Sequence, residues 1–160
     1  MITQERLHEL FLIHEDGELI RRVSTSPKNK AGNMAGCVDC GYKRVVVDGK
    51  NYRVHRLIWM MTHGKFPVDM IDHINGNKLD NRILNLREAN QQQNQQNSIK
   101  ARANNKLGLI GVSRHKKCKR FRADIMISGK TKYLGLFETP EEAHQAYLTA
   151  KREYHDFCTI

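Results

Sequence analysis

Asp72 and His73 stand together ahead of Ile74-Asn75-Gly76-Asn77, and Asn81, Asn85 and Asn94 follow at short intervals. A carboxylate oxygen from Asp72 and an amide oxygen from Asn94 would make a hard, incomplete oxygen site, suited to Mg²⁺ or Mn²⁺ once waters and a phosphate complete it. A neutral His73 beside such a site can take a proton from an attacking water while the cation stabilises charge on the phosphate and the leaving oxygen. An Asp-His pair taken alone is more often an ordinary surface pair. The Asn-Gly-Asn loop and the positions of Asn85 and Asn94 set this one apart. Side chains of strand neighbours point to opposite faces, so the two converge only where the strand ends, and Asn75-Gly76 is well suited to end it.

These residues need a frame, and the pattern predicts one. Residues 70–73 form a short strand, 75–81 a turn-rich loop, 83–86 a second strand, and 87 to about 97 a helix built from Glu, Ala, Asn and Gln. On that helix Asn90, Asn94 and Asn97 share one face. Composition alone also permits a disordered polar linker there. Upstream, Asp16-Gly17 joins strands at 11–13 and 18–23, and Asp48-Gly49 joins strands at 42–47 and 50–54, each a hairpin signal. Residues 24–36 read as a loop. Leu57, Ile58, Trp59, Met60 and Met61 make 55–63 a helix stopped by Gly64 and Pro67, its apolar excess serving the core.

Residues 98–106 are basic, polar and linker-like. Beyond them Phe121, Ala123, Ile125 and Ile127 alternate with Arg120, Arg122, Asp124 and Met126, which gives a strand one apolar and one largely charged face. Ser128-Gly129 turns the chain into a strand at 130–137, and 111–114 supplies a third. Thr139-Pro140-Glu141-Glu142 is a capping box with Pro at the first helical position, and Ala143, Ala146, Tyr147, Ala150 and Tyr154 form the apolar stripe of the helix. The fold class is α+β: a unit at 1–97, a linker at 98–106, and at 107–160 a three-stranded antiparallel sheet packed on one helix.

The formal charge of the 160 residues is +10, with a pI near 9.6, and this points to a polyanionic partner. Up to Asn97 there are 14 Lys and Arg against 11 Asp and Glu; after it there are 13 against 6. The second unit is therefore the better candidate for a nucleic-acid grip. No apolar run approaches a membrane span and the N-terminus has no leader character, so a soluble cytoplasmic protein is expected. Cys37-Val38-Asp39-Cys40 is half of a zinc-site pattern, with Cys118 and Cys158 standing apart, which argues against structural zinc. A reduced loop dithiol is expected instead.

The stretch from about residue 11 to Asn97 resembles the HNH endonuclease family, particularly its phage and intron-encoded homing branch. The resemblance rests on Gly41-Tyr42, Val54-His55-Arg56-Leu57, Asp72-His73-Ile74-Asn75-Gly76-Asn77, Asp80-Asn81-Arg82, Asn85-Leu86-Arg87 and Asn94. It implies a ββα-metal nuclease unit cutting double-stranded DNA, with Asp72 and Asn94 as ligands of one Mg²⁺ or Mn²⁺ ion. His73 would be the general base, and Asn85 would pin the loop between the strands. In a phage-encoded setting the site of action is the host cytoplasm. His55 and Arg56 lie in a matching segment, and two readings stand equally: a phosphate contact, or a core histidine beside an exposed arginine.

Gly111-Val112, Phe121 to Ile125, Tyr133-Leu134-Gly135, Phe137, Glu141-Glu142-Ala143 and Ala146-Tyr147 look like an AP2 DNA-binding domain. In that family the sheet enters the major groove. By position Arg114, Arg120, Arg122 and Tyr133 would face DNA, with Lys116, Lys117 and Lys119 on phosphates. The Trp common at the positions of Phe121 and Tyr133 is absent, so base preference does not transfer. The competing function classes are a DNA-binding regulator with a decayed nuclease unit and, on the basic tail alone, an RNA-binding protein.

Overall fold

A computed structural model describes residues 2–98, 101 and 105–159. The chain forms two compact units, Met1–Gln91 and Gln92–Ile160, so part of the expected linker at 98–106 lies outside the described residues.

The first unit opens with a helix the sequence reading did not anticipate, α1 (Gln4–Leu10). Thr3 caps it by accepting a hydrogen bond from the Arg6 backbone N–H at 3.2 Å, and Leu7 and Leu10 are buried. Strands β1 (Phe11–Ile13) and β2 (Leu19–Arg21) pair antiparallel across the Asp16-Gly17 turn. That turn matters later in the chain: a Cβ on Gly17, at φ +78°, would stand 2.2 Å from the Arg82 nitrogen and 2.4 Å from the Asn81 carbonyl carbon. Only glycine lets the hairpin press this closely on the backbone beside Asn81.

A second sheet is formed by β3 (Cys37–Asp39), β4 (Tyr42–Val47) and β5 (Lys50–Arg53), in sequential order. The strand at β3 corrects the expectation of a plain loop. Cys37 pairs opposite Arg44, and Cys40-Gly41 turn the hairpin with both residues at positive φ. Helix α2 (Val54–His63) follows directly and ends on Gly64 in the left-handed region, whose N–H reaches the Met60 carbonyl at 2.9 Å. Its Val54, Leu57 and Ile58 are fully buried with Leu7, Leu19 and Phe11. Each such aliphatic burial stabilises the unit by roughly 1.5–3 kcal/mol.

Strand β6 (Met70–His73) pairs antiparallel with β7 (Leu86–Ala89), which revises the predicted register. Residues 83–86 were expected to be strand and 87 onward helix; instead Ile83–Asn85 is a 3₁₀ turn and the strand runs to Ala89. The reason is tertiary. Pairing with β6 places Arg87 across from Asp72 and Ala89 across from Met70, and that outweighs helix propensity over three residues. Helix α3 is left with Gln91–Gln96, so of Asn90, Asn94 and Asn97 it contains Asn94 alone.

The second unit matches its alternation. Strands β8 (Val112–Arg114), β9 (Phe121–Ile127) and β10 (Lys130–Phe137) form one antiparallel sheet with β9 central, irregular between Tyr133 and Gly135. Ala123 and Ile125 are buried against α4 (Pro140–Tyr154), whose capping box between Thr139 and Glu142 is complete. At Gly111 a Cβ would fall 2.0 Å from the Tyr147 ring, which fixes glycine where sheet and helix meet. Lys151 is buried on α4, where its ammonium donates to the Ser98 carbonyl at 2.6 Å. No helix among the described residues is long and apolar enough to cross a membrane.

Candidate active site

The end of β6 delivers Asp72 and His73, 6% and 4% exposed. A buried carboxylate needs a partner, and the ladder supplies it: Asp72 Oδ2 accepts from Arg87 Nε at 3.0 Å and from Nη2 at 2.9 Å. Among the described residues no three His, Cys, Asp or Glu side chains gather as a metal cluster. A cation here would rest on one carboxylate and neutral oxygens. That donor set is hard and fits Mg²⁺ or Mn²⁺ better than a thiophilic metal.

The loop after β6 is held by its own amides. Gly76 N–H closes a turn onto the His73 carbonyl at 2.8 Å, and the Asn75 and Asn77 side chains accept from the backbone N–H two residues on. Asn85 does more than cap a turn. Its Oδ1 accepts from Asn75 N–H at 2.9 Å, while its Nδ2 donates to Asn75 Oδ1 at 3.0 Å and to the Asp80 carbonyl at 2.7 Å. Asp80 also accepts from Asn75 and pairs with Arg82 at 2.5 Å. The Arg82 guanidinium draws the Asp80 carboxyl down to about 2.

His73 contacts this loop through its ring: Nε2 lies 3.1 Å from Asn81 Oδ1. An amide oxygen only accepts, so Nε2 carries the hydrogen and Nδ1 is the basic nitrogen. Burial lowers the His73 pKa; the bond to Asn81 and the charge of Asp72 work in the opposite direction. The His55 ring meets His73 edge-on with centroids 5.1 Å apart, and Tyr42 is tilted against both, 5.5 Å from His55 and 6.2 Å from His73. His55 is 3% exposed, and burial, with the charges of His73, Arg53 and Arg56 added, drives its pKa down to about 3. This placement favours the core reading of His55 over the phosphate contact. Arg56 donates to the carbonyls of Asp69 at 3.3 Å and Pro67 at 3.4 Å, and so braces the approach to β6.

The structure thus brings Asp72, His73 and Asn85 together within the first unit; Asn94 stands on α3, a few residues beyond β7. Asn81, Arg87 and Tyr42 were named in the motif but given no part in the chemistry. Arg53 and Lys78 carried no signal beyond their charge. In the second unit Lys116, Lys117, Lys119 and Arg120 are exposed between β8 and β9, and Arg122 and Tyr133 are exposed on the sheet. Arg122 pairs with Asp124 at 2.7 Å and lies over the Tyr133 ring at 5.2 Å. Arg114 is exposed, registered opposite Phe121 and over its ring at 5.5 Å, so it projects from the sheet side of Phe121 and not from that of Arg122.

A buried Asp-His pair at the end of a two-stranded antiparallel ribbon, facing an asparagine-rich loop and followed by a short helix, is an arrangement suited to cutting phosphodiesters. Residues 52–96 match the HNH endonuclease family, and this segment contains β6, the loop, β7 and α3. The chain is also similar to a protein described as an uncharacterized HNH endonuclease of Acanthamoeba polyphaga mimivirus, with 35% identity over 108 residues. That match takes in 66% of this chain and 54% of the relative, so the chain spans about half the length of the curated relative it matches. No solved structure matches.

Proposed function

We propose that this protein is a metal-dependent endonuclease hydrolysing phosphodiester bonds of double-stranded DNA. The observation that carries this reading is the buried His73, beside a buried carboxylate, with its Nε2–H committed to Asn81. Burial keeps the imidazole neutral at cellular pH, and its Nδ1 accepts the proton of the attacking water. Asp72 and Asn94 would hold a divalent cation, Mg²⁺ or Mn²⁺, which when bound supplies stabilisation of charge on the phosphate and the leaving oxygen. Arg87 holds the Asp72 carboxylate in place, and Asn85 keeps the loop against the strand end.

The second unit would grip DNA. Its three-stranded sheet backed by one helix supports the AP2-like reading, with Arg120, Arg122 and Tyr133 toward DNA, Lys116, Lys117 and Lys119 on phosphates, and Arg114 at the sheet end. The viral source of the relative supports a viral setting, of which the phage or mobile-element reading is one form. The test is conversion of supercoiled plasmid with Mg²⁺ and with EDTA, comparing the intact protein with His73→Ala. Metal-dependent cleavage that falls about 10²- to 10⁴-fold in the variant is expected. DNA binding without cleavage in the unmodified protein would make the chain a binding regulator instead.

A further inference from the structure

Three separate segments converge on one aromatic ring beside His73. Tyr42 opens β4, Arg53 ends β5 and caps α2, and Lys78 lies in the loop after β6. The Arg53 guanidinium carbon is 4.3 Å from the Tyr42 ring centroid and the Lys78 ammonium is 4.7 Å from it, each within cation–π range. Both cations are exposed, whereas Tyr42 is half-buried. Several other basic residues of this unit pair with carboxylates, Arg6 with Glu9 and Asp48, Lys43 with Glu18, Arg44 with Asp39, Arg82 with Asp80 and Arg87 with Asp72. Among the described residues no carboxylate pairs with Arg53 or Lys78. Two such cations held at one ring beside His73 make this edge of the site electropositive, and an anion bound there would be attracted by both.

We propose that Arg53 and Lys78, mounted on Tyr42, bind a backbone phosphate of DNA next to the one attacked at His73. The ring fixes both long side chains, so little side-chain freedom is lost when the phosphate arrives. The Arg53 fork takes two phosphate oxygens, while Lys78 contributes a point charge. The position of this site relative to the cut rests on the nuclease reading; its affinity for DNA does not.

The test is fluorescence anisotropy of a labelled DNA duplex with the full chain, in EDTA and at several salt concentrations. The proteins compared are the unmodified chain, Arg53→Gln/Lys78→Gln, Tyr42→Leu and Tyr42→Phe. The double variant should bind about tenfold more weakly at moderate salt, and its log affinity against log salt should be shallower by about 0.9, the slope for one phosphate. Tyr42→Leu should shift in the same direction, and Tyr42→Phe, which keeps the ring face, should match the unmodified protein. Unchanged affinity and slope in the double variant would overturn the proposal. A weakened double variant with Tyr42→Leu unaffected would overturn the mounting role of the ring. If the unmodified chain fails to cleave plasmid while the double variant binds less well, the nuclease reading falls and the phosphate site stands.

Discussion

The Asn81 amide oxygen accepts a hydrogen bond from His73 Nε2 at 3.1 Å in the interior of the first unit, while the Asn81 amide nitrogen is buried without a partner among the described residues. A buried unpaired donor costs about 1–3 kcal/mol; an apolar residue of similar size would remove that cost but leave the buried His73 Nε2–H without its acceptor, a penalty of the same order, so the two roughly cancel in stability. What Asn81 provides is the acceptor that selects the His73 tautomer. Asn81→Leu is expected to lower kcat about 10- to 100-fold, as losses of orienting partners do, with KM and the urea midpoint nearly unchanged. Imidazole ¹⁵N chemical shifts in the variant should show both tautomers. Shifts identical to those of the unmodified protein would remove the orienting role.

On the proposed reading Asp72 serves both Arg87 and a divalent cation, and its variants should separate the two roles. Asp72→Ala removes the carboxylate that pairs with the half-buried Arg87 guanidinium, and breaking a buried pair from one side costs up to about 3–5 kcal/mol. Asp72→Asn keeps the shape and an acceptor, so it should stay folded yet lose most divalent-ion binding. Asn94→Ala should weaken that binding less, because it removes a neutral donor, and excess Mn²⁺ should restore part of the activity. Titration calorimetry on both variants is the measurement. Unchanged Mg²⁺ binding in Asp72→Asn and Asn94→Ala would place the cation elsewhere.

His55 makes the first unit acid-sensitive. Unfolded, it takes up a proton near its ordinary value of 6.5; folded, it does so only near about 3, chiefly because of burial. Between these values the unfolded chain binds the extra proton, so stability rises with pH across this window and levels off above it. The span corresponds to a contribution on the order of 3–5 kcal/mol. Urea unfolding from pH 3.5 to 7 should show this rise, and His55→Leu should flatten much of it. An equally steep limb in the variant would assign the acid sensitivity to other groups.

Most of the frame was legible because local signals and tertiary packing agree. Asp16-Gly17 and Asp48-Gly49 mark hairpins that form, and Thr139 through Glu142 marks the start of α4. The errors cluster where pairing across the chain decides the outcome. Glu88 and Ala89 are compatible with a helix, but opposite Ile71 and Met70 they complete a ladder. The seven residues of α1 are too short for a clear period, and Cys37–Asp39 becomes strand only because β4 offers an edge. At the site the motif marked Asp72, His73 and Asn85. It could not show that Asp72 is tied to Arg87, that His55 is buried, or that Arg53 and Lys78 share one ring.

The division of labour between the units can be tested without cutting the chain. Truncation at Asn97 is a poor probe, because Asn97 bonds to Thr159 and the Ser98 carbonyl accepts from the buried Lys151, so removing the tail would strip partners from the residues just after α3. Charge reversal is cleaner. Arg122 points away from the core formed by Ala123 and Ile125, and among the described residues the ion pair of Arg120 is a long one, 3.9 Å to Glu138. Arg122→Glu faces Asp124 directly, however, so Arg122→Gln should accompany it to separate local repulsion from loss of DNA contact. If these residues meet phosphates, Arg120→Glu/Arg122→Glu in the full chain should weaken duplex binding and flatten the salt slope by about 0.9 for each phosphate lost. Arg122→Gln should move the slope in the same direction by a smaller amount. Thermal unfolding should change little, since exposed pairs of this kind contribute about 1 kcal/mol or less. Slopes and affinities that coincide for all three proteins would exclude this face of the second unit from DNA binding.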